Sequence, residues 1–270
     1  MNHRIAVFAA VACAAAACSR PRAERAFEWT DRLPAGAVVH LRNGAGPVTV
    51  RRANGPMTLV TGTRRWRRGR AGDIRFVVTQ KGNDYYVCAM WRRSGSCDES
   101  GYRGRQIGGF LTMFSLFHRG SDASADFVAE LPDNVAVDVR TTNGSVQVDG
   151  VIAGVTARTT NGTVQASNVS GPLALSTVNG NVRLTTDSLS ETGPVRLTTT
   201  NGTIHAELPA DVQGKFDISA VNGVVRSDFP IPSTGRRHLQ GQLGTSPRVV
   251  MMRARNGTVS VISRGAPPTQ

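Results

Sequence analysis

Apolar and polar residues alternate in short runs along the second half of the chain, and each run breaks at an Asn-Gly pair. The segments are VRTTNGSVQV (139–148), ARTTNGTVQA (157–166), LSTVNGNVRL (175–184), LTTTNGTIHA (197–206), ISAVNGVVRS (218–227) and MRARNGTVSV (252–261). The pairs are Asn143-Gly144, Asn161-Gly162, Asn179-Gly180, Asn201-Gly202, Asn222-Gly223 and Asn256-Gly257, in steps of 18, 18, 22, 21 and 34 residues. A looser copy, HLRNGAGPVTV (40–50), carries Asn43. A period of two predicts strands. Thr, Val and Ile fill them, as strands favour. No segment shows the helical period.

Two architectures fit. Asn-Gly is a strong type I′ hairpin signal, and a hairpin at Asn143-Gly144 would set Thr141 against Val146. That reading gives an antiparallel meander or sandwich. Alternatively each repeat is one coil of a β-solenoid, like positions stack on like, and the Asn residues form a hydrogen-bonded ladder. A hairpin does not require its neighbours to share its sequence. The near-identity of T-x-N-G-x-[VI] from unit to unit therefore favours the all-β solenoid.

The repeat, the entry RLPAGAVVHLRNGAGPVTVRRANG and the tail GRRHLQGQLGTSPRVVMMRARNGTVSV (235–261) resemble a bacterial family of β-strand-repeat proteins regarded as adhesins, with no assigned activity. The resemblance spans roughly residues 27–263. It implies a single-chain β-solenoid and supplies no catalytic residues.

The chain opens MNHRIAVFAAVACAAAACSR: one early Arg, an apolar stretch, then small residues. This is the pattern of a secretory signal peptide. Ala15-Ala16-Ala17-Cys18 resembles a bacterial lipobox, which implies acylation at Cys18 and an anchor rather than a span. The expected organisation is a signal peptide over 1–17, a lipid-anchored tether over 18–26, an N-terminal β region over 27–122, the repeat solenoid over 123–263 and a tail over 264–270. The expected location is the bacterial envelope, at the outer membrane. Within the N-terminal region, IRFVVTQ (74–80) and DYYVCAM (84–90) read as a hairpin. The apolar IGGFLTMFSLF (107–117) reads as a cap over a solenoid end or as a partner-binding patch. Export to an oxidising compartment predicts a Cys88–Cys97 disulfide.

The 270 residues carry 32 Lys and Arg against 19 Asp and Glu, a net +13. Lys81 and Lys215 are the only lysines. Residues 18–122 hold 19 basic and 8 acidic side chains, residues 123–270 only 12 and 11, so the excess sits in the first half. Its densest part is Arg64-Arg65-Trp66-Arg67-Arg68-Gly69-Arg70. Two readings stand: a site for anionic lipid, lipopolysaccharide or acidic glycan with Trp66 stacking, or a solvated strand edge whose charge blocks aggregation. Nucleic acid is not the expected partner behind a signal peptide.

Motifs with a catalytic mechanism are absent: no G-x-S-x-G, no H-E-x-x-H, no P-loop. His40, His118, His205 and His238 are scattered and read as surface or filler residues, with His205 facing outward. Asp149, Asp187, Glu207, Asp211 and Asp228 recur at no common repeat position. No metal or cofactor is expected. The expectation is a non-catalytic envelope lipoprotein, an adhesin-like structural or binding module for an anionic component, a glycan or an envelope protein. The alternative is a lyase or glycosidase on a solenoid, which would need carboxylates converging in a groove.

Overall fold

A computed structural model describes residues 22–67, 74–91, 96–98, 101–103, 123–191 and 193–265. The first strands are β1 (Arg22–Asp31), β2 (Val38–Ala45), β3 (Val48–Arg52), β4 (Thr58–Trp66), β5 (Arg75–Lys81) and β6 (Asp84–Met90). Two short strands follow, β7 (Ser96–Asp98) and β8 (Gly101–Arg103), then β9 (Ser124–Leu131). The repeats supply pairs: β10 (Ala136–Asn143) with β11 (Val146–Asp149), β12 (Val155–Asn161) with β13 (Val164–Ser167), and β14 (Leu173–Asn179) with β15 (Val182–Thr185). Next come β16 (Val195–Asn201) with β17 (Ile204–Pro209), and β18 (Gly214–Asn222) with β19 (Val225–Ser227). A hairpin of β20 (Ser233–Gly235) and β21 (His238–Leu243) precedes the last pair, β22 (Val249–Asn256) and β23 (Val259–Arg264).

The repeats stack in parallel as a solenoid. Sheet I runs β1-β4-β9-β3-β11-β13-β15-β17-β23-β19, and sheet II runs β20-β21-β18-β22-β16-β14-β12-β10-β2-β6-β5. In each repeat a sheet II strand ends at Asn, the chain turns at Gly, and a sheet I strand follows. Thr141 therefore pairs with Thr159 of the next coil, and Val146 with Val164, so the hairpin pairing of Thr141 with Val146 does not form. The one hairpin expected outside the repeats is present: β5 and β6 pair antiparallel.

Chain order and spatial order part at both ends. The last repeat, β22/β23, lies between β16/β17 and β18/β19. At the other end β2/β3 lies between β6/β9 and β10/β11. Strands β2, β3 and β6 thus join the same stack as the repeats. Antiparallel strands close the edges: β4 on β9, β1 on β4, β5 on β6, and β21 on β18. A solenoid needs such closure, because an open terminal coil offers strand edges and core to other chains. Residues 107–117, expected as a cap or patch, lie outside the described residues.

The core is built from every second residue. Val139, Ala157, Leu175, Leu197, Met252 and Ile218 form one inward row across sheet II. Val146, Val164, Val182, Ile204 and Val259 face them from sheet I, and all are buried. Each such burial contributes about 1.5–3 kcal/mol.

The corner explains the motif. Asn161 donates its side-chain amide to Asn143 Oδ1 at 2.7 Å, Asn179 to Asn161 at 2.8 Å and Asn201 to Asn179 at 2.8 Å. Thr159, Thr177 and Thr199 turn inward and donate to the carbonyls of Gly144, Gly162 and Gly180. Gly202 has φ +151°, and a Cβ there would stand 1.9 Å from the Gly180 carbonyl oxygen. Only Gly fits so close a stack.

Asn43 is the exception to the expected repeat. Its register partner is Thr141, while Ala45 pairs with Asn143, so the corner of this coil is Ala45-Gly46. The Asn43 side chain turns inward and donates to the carbonyls of Gly46 and Ala125, at 3.0 and 2.7 Å.

Candidate functional site

Three polar regions carry the candidate chemistry. The first is the arginine segment. Arg64, Arg65 and Trp66 end β4, and their side chains alternate as expected. However, β4 is flanked by β1 and β9, so Arg64 and Arg65 do not lie on a free edge. The carboxylates come from these neighbours. Arg65 pairs with Asp126, Arg64 lies 3.9 Å from Glu24, and the Arg64 guanidinium sits 5.9 Å from the Phe76 ring centre. Arg64 and Arg65 thus each face a carboxylate. Arg67 is exposed. Arg68, Arg70, Cys18 and His118 lie outside the described residues.

The second region is a covered polar cluster on the outer face of sheet II. Arg42 NH2 donates to Asp138 Oδ2 at 2.6 Å and NH1 to the Asp138 carbonyl at 2.7 Å. His40 lies between two carboxylates: Nδ1 is 3.1 Å from Asp138 Oδ2, and Nε2 is 2.8 Å from Asp84 Oδ1. The ring also stacks on Tyr86 at 4.4 Å. Arg42 is 2% exposed although it points away from the core. Cys88 is its register neighbour, and the Cys88–Cys97 disulfide, as expected, ties β7 to β6 there. Burial would raise the Asp138 pKa, but the hydrogen bond with His40 and the charge and hydrogen bond of Arg42 outweigh it and lower it to about 2. Burial pushes the Arg42 pKa down, against the pull of Asp138. His40 is therefore part of a covered polar network and not a surface filler.

Sequence reasoning missed this cluster because its members lie far apart: His40 and Asp138 are 98 residues from one another. The available signal was phase. His40 and Arg42 in VVHLR, and Asp138 and Arg140 in VDVR, occupy the outward positions of two strands that stack.

The third region is the open part of the same face. In register, Arg42, Arg140, Arg158, Ser176, Thr198, Arg253 and Ser219 form one outward row. A shallow open hollow of about 410 Å³ lies along it, lined by Arg140, Arg158, Thr160, Ser176, Thr198 and Thr200 among others. Arg140 lies 3.4 Å from Asp138, and Arg253 donates to Asp217 at 2.9 Å. The second contact, with a further bond from His238, lowers the Asp217 pKa. Among the described residues no carboxylate pairs with Arg158 or Arg196.

Residues 123–262 match the family described as Toastrack DUF4097. The chain belongs to the Toastrack DUF4097 family. Two solved structures are also similar. A "putative cell adhesion protein" from Clostridium sporogenes shares 13% identity, covers 91% of this chain and 100% of its own, and has a TM-score of 0.46. A "putative adhesin" from Bacteroides fragilis shares 11%, covers 87% and 96%, and has a TM-score of 0.39. No curated protein matches the chain.

On this Toastrack solenoid Asp149 and Glu207 share one outward row of sheet I, contrary to expectation. It runs Asp149, Ser167, Thr185, Glu207. Three strand steps separate the two acids, roughly 14 Å at ~4.8 Å per step. Paired glycosidase carboxylates stand about 5–9.5 Å apart. Asp149 instead accepts from Ser167 Oγ at 2.7 Å and Asn168 Nδ2 at 2.9 Å. Glu207 meets His205, which does face outward, at 3.2 Å. Asp84 and Asp138 do converge, but on His40, and a carboxyl held near 2 stays ionised and cannot act as a general acid near neutrality.

Proposed function

We propose that this protein is a non-catalytic, adhesin-like module of the bacterial envelope, held at the outer membrane through an acyl anchor on Cys18, that takes an extended anionic glycan along the outer face of sheet II. The observation that carries the reading is the outward row holding Arg140 and Arg158 beside Ser176 and Thr198. Guanidinium groups bind carboxylates and sulfates in a forked geometry, and hydroxyls beside them suit sugar hydroxyls. Repetition at strand spacing offers a linear polymer several equivalent contacts, whose effects multiply. On sheet II the outward acids Asp138 and Asp217 already have arginine partners.

The test uses the chain from residue 19 and columns bearing a uronic-acid polymer, a neutral glucan or anionic lipid. Retention on the uronic-acid polymer that falls with salt, and falls sharply in an Arg158→Ser variant, is the expected result. Retention indifferent to that variant but lost when Arg64, Arg65, Arg67, Arg68 and Arg70 become Ser moves the site to the N-terminal segment. No retention by any form removes the anionic glycan and directs the search to protein partners.

A further inference from the structure

The Asn ladder ends at Asn222. Asn222 donates to Asn256 Oδ1 at 2.8 Å, Asn256 to Asn201 at 2.7 Å, and the chain of amides continues to Asn143. The backbone runs alongside with the opposite polarity. The amide of Gly46 donates to the Asn143 carbonyl, Gly144 to Asn161, Gly162 to Asn179, Gly180 to Asn201, Gly202 to Asn256 and Gly257 to Asn222. Every repeat glycine amide is thereby held by the coil beyond it, except one. Gly223 belongs to the outermost coil; the β20–β21 hairpin beyond it accepts from Ala220 and Val225 but brings no further Asn, and the Gly223 amide has no acceptor among the described residues. Asn222 Oδ1 likewise receives no donor there, and Asn222 is exposed.

Asn-Gly deamidation uses these two groups. The amide nitrogen of the glycine loses its proton and attacks the Asn side-chain carbon. Ammonia leaves, a cyclic succinimide forms, and water opens it at either carbonyl to give aspartate or isoaspartate. One water enters, one ammonia departs, and nothing is oxidised or reduced. An amide nitrogen that already donates to the next coil must first break away. The Asn carboxamide must also rotate out of its ladder bonds. We infer that Asn222-Gly223 is the deamidation site of the solenoid, while Asn143, Asn161, Asn179, Asn201 and Asn256 are shielded by the ladder. Conversion puts a carboxylate against Asn256 Oδ1, where an amide had donated. The outermost coil then loses its tie and gains a repulsion, so the modification acts as an irreversible clock on that coil.

Peptide mapping by mass spectrometry, after timed incubation of the full chain in mildly alkaline buffer, reads every site at once. Asn54-Gly55 serves as the internal reference, since it is an exposed turn outside the ladder. In denaturant the six repeat sites, all followed by Gly, should react alike. In the folded chain Asn222 should convert at least about tenfold faster than the five inner sites. An Asn222→Gln variant should abolish the conversion and leave Asn54 unchanged. Asn222 reacting as slowly as Asn161 while Asn54 converts would overturn the inference. Equal rates at all six in the folded chain would overturn it too, because the ladder would then shield nothing.

Discussion

Asn256 donates to Asn201 across 55 residues of sequence, at 2.7 Å, and Asn222 donates to Asn256 at 2.8 Å. The last repeat is therefore an inner coil and the penultimate one is outermost. This makes an energetic distinction between two residues that look alike in sequence. Asn256→Ala removes two ladder bonds and Asn222→Ala removes one. At ~0.5–1.5 kcal/mol per bond, Asn256→Ala should cost about twice as much, on the order of 2 kcal/mol. Urea unfolding of both variants measures it. An Asn222→Ala penalty equal to or larger than that of Asn256→Ala would mean that the coils stack in chain order.

The glycine corners give a steeper contrast. A Cβ on Gly202 would lie 1.9 Å from the Gly180 carbonyl oxygen, and φ is +151°. Backbone on the other side of that contact cannot swing away as a side chain can. Gly202→Ala should cost roughly 3 kcal/mol or prevent folding altogether. Gly55 lies in an exposed turn, and a Cβ there meets nothing within 4 Å. Gly55→Ala should leave the melting temperature within a few degrees of the parent. Circular dichroism melts of the pair decide whether the corner or merely the Asn-Gly dipeptide is what the repeat conserves from coil to coil.

The pH dependence follows from Asp138. Its pKa is lowered to about 2, below the ordinary value of 3.8. A depressed carboxyl stabilises the fold above the unfolded-state value, and that stabilisation is lost as pH falls from about 4 toward 2. The shift corresponds to a contribution on the order of 2 kcal/mol. Chemical unfolding at pH 6 and at successively lower pH should show this loss, with an Asp138→Asn variant flatter over the same window. Parallel curves for parent and variant would mean that the Arg42–His40 network leaves acid stability untouched.

Much of this architecture was legible in the sequence because the repeat states its own register. Thr, Asn and Gly recur at fixed phase, and near-identity between units is what stacking demands. The Cys88–Cys97 bond was legible from the expectation of export. What was not legible depends on long-range order. Nothing local in MRARNGTVSV says that it inserts before ISAVNGVVRS; the decisive fact is that β21 occupies the far side of β18. The same limit hid the His40–Asp138 contact and the partners of Arg64 and Arg65. A charge run reads as unpaired until the strands beside it are known, and here those strands bring Glu24 and Asp126.

The inward threonines offer the sharpest comparison, because one of them lacks what the others have. Thr159 Oγ1 donates to the Gly144 carbonyl at 2.9 Å. Thr141 holds the equivalent place one coil earlier, where the acceptor would be Gly46. Asn43 already donates to that carbonyl, and Thr141 Oγ1 is buried without a hydrogen-bond partner. A buried hydroxyl with no partner is a cost, and one that is bonded is a modest gain. Replacing Thr by Val keeps the shape and removes the hydroxyl. Thr159→Val should therefore destabilise by about 1 kcal/mol, while Thr141→Val should be neutral or stabilising. An Asn43→Ala/Thr141→Val double variant then completes the cycle. Removing Asn43 frees the Gly46 carbonyl for Thr141, so Thr141→Val should become costly in that background. Urea midpoints for the single and double variants report the coupling directly. Equal penalties for Thr141→Val and Thr159→Val in the parent chain would show that Asn43 does not displace the threonine from its acceptor.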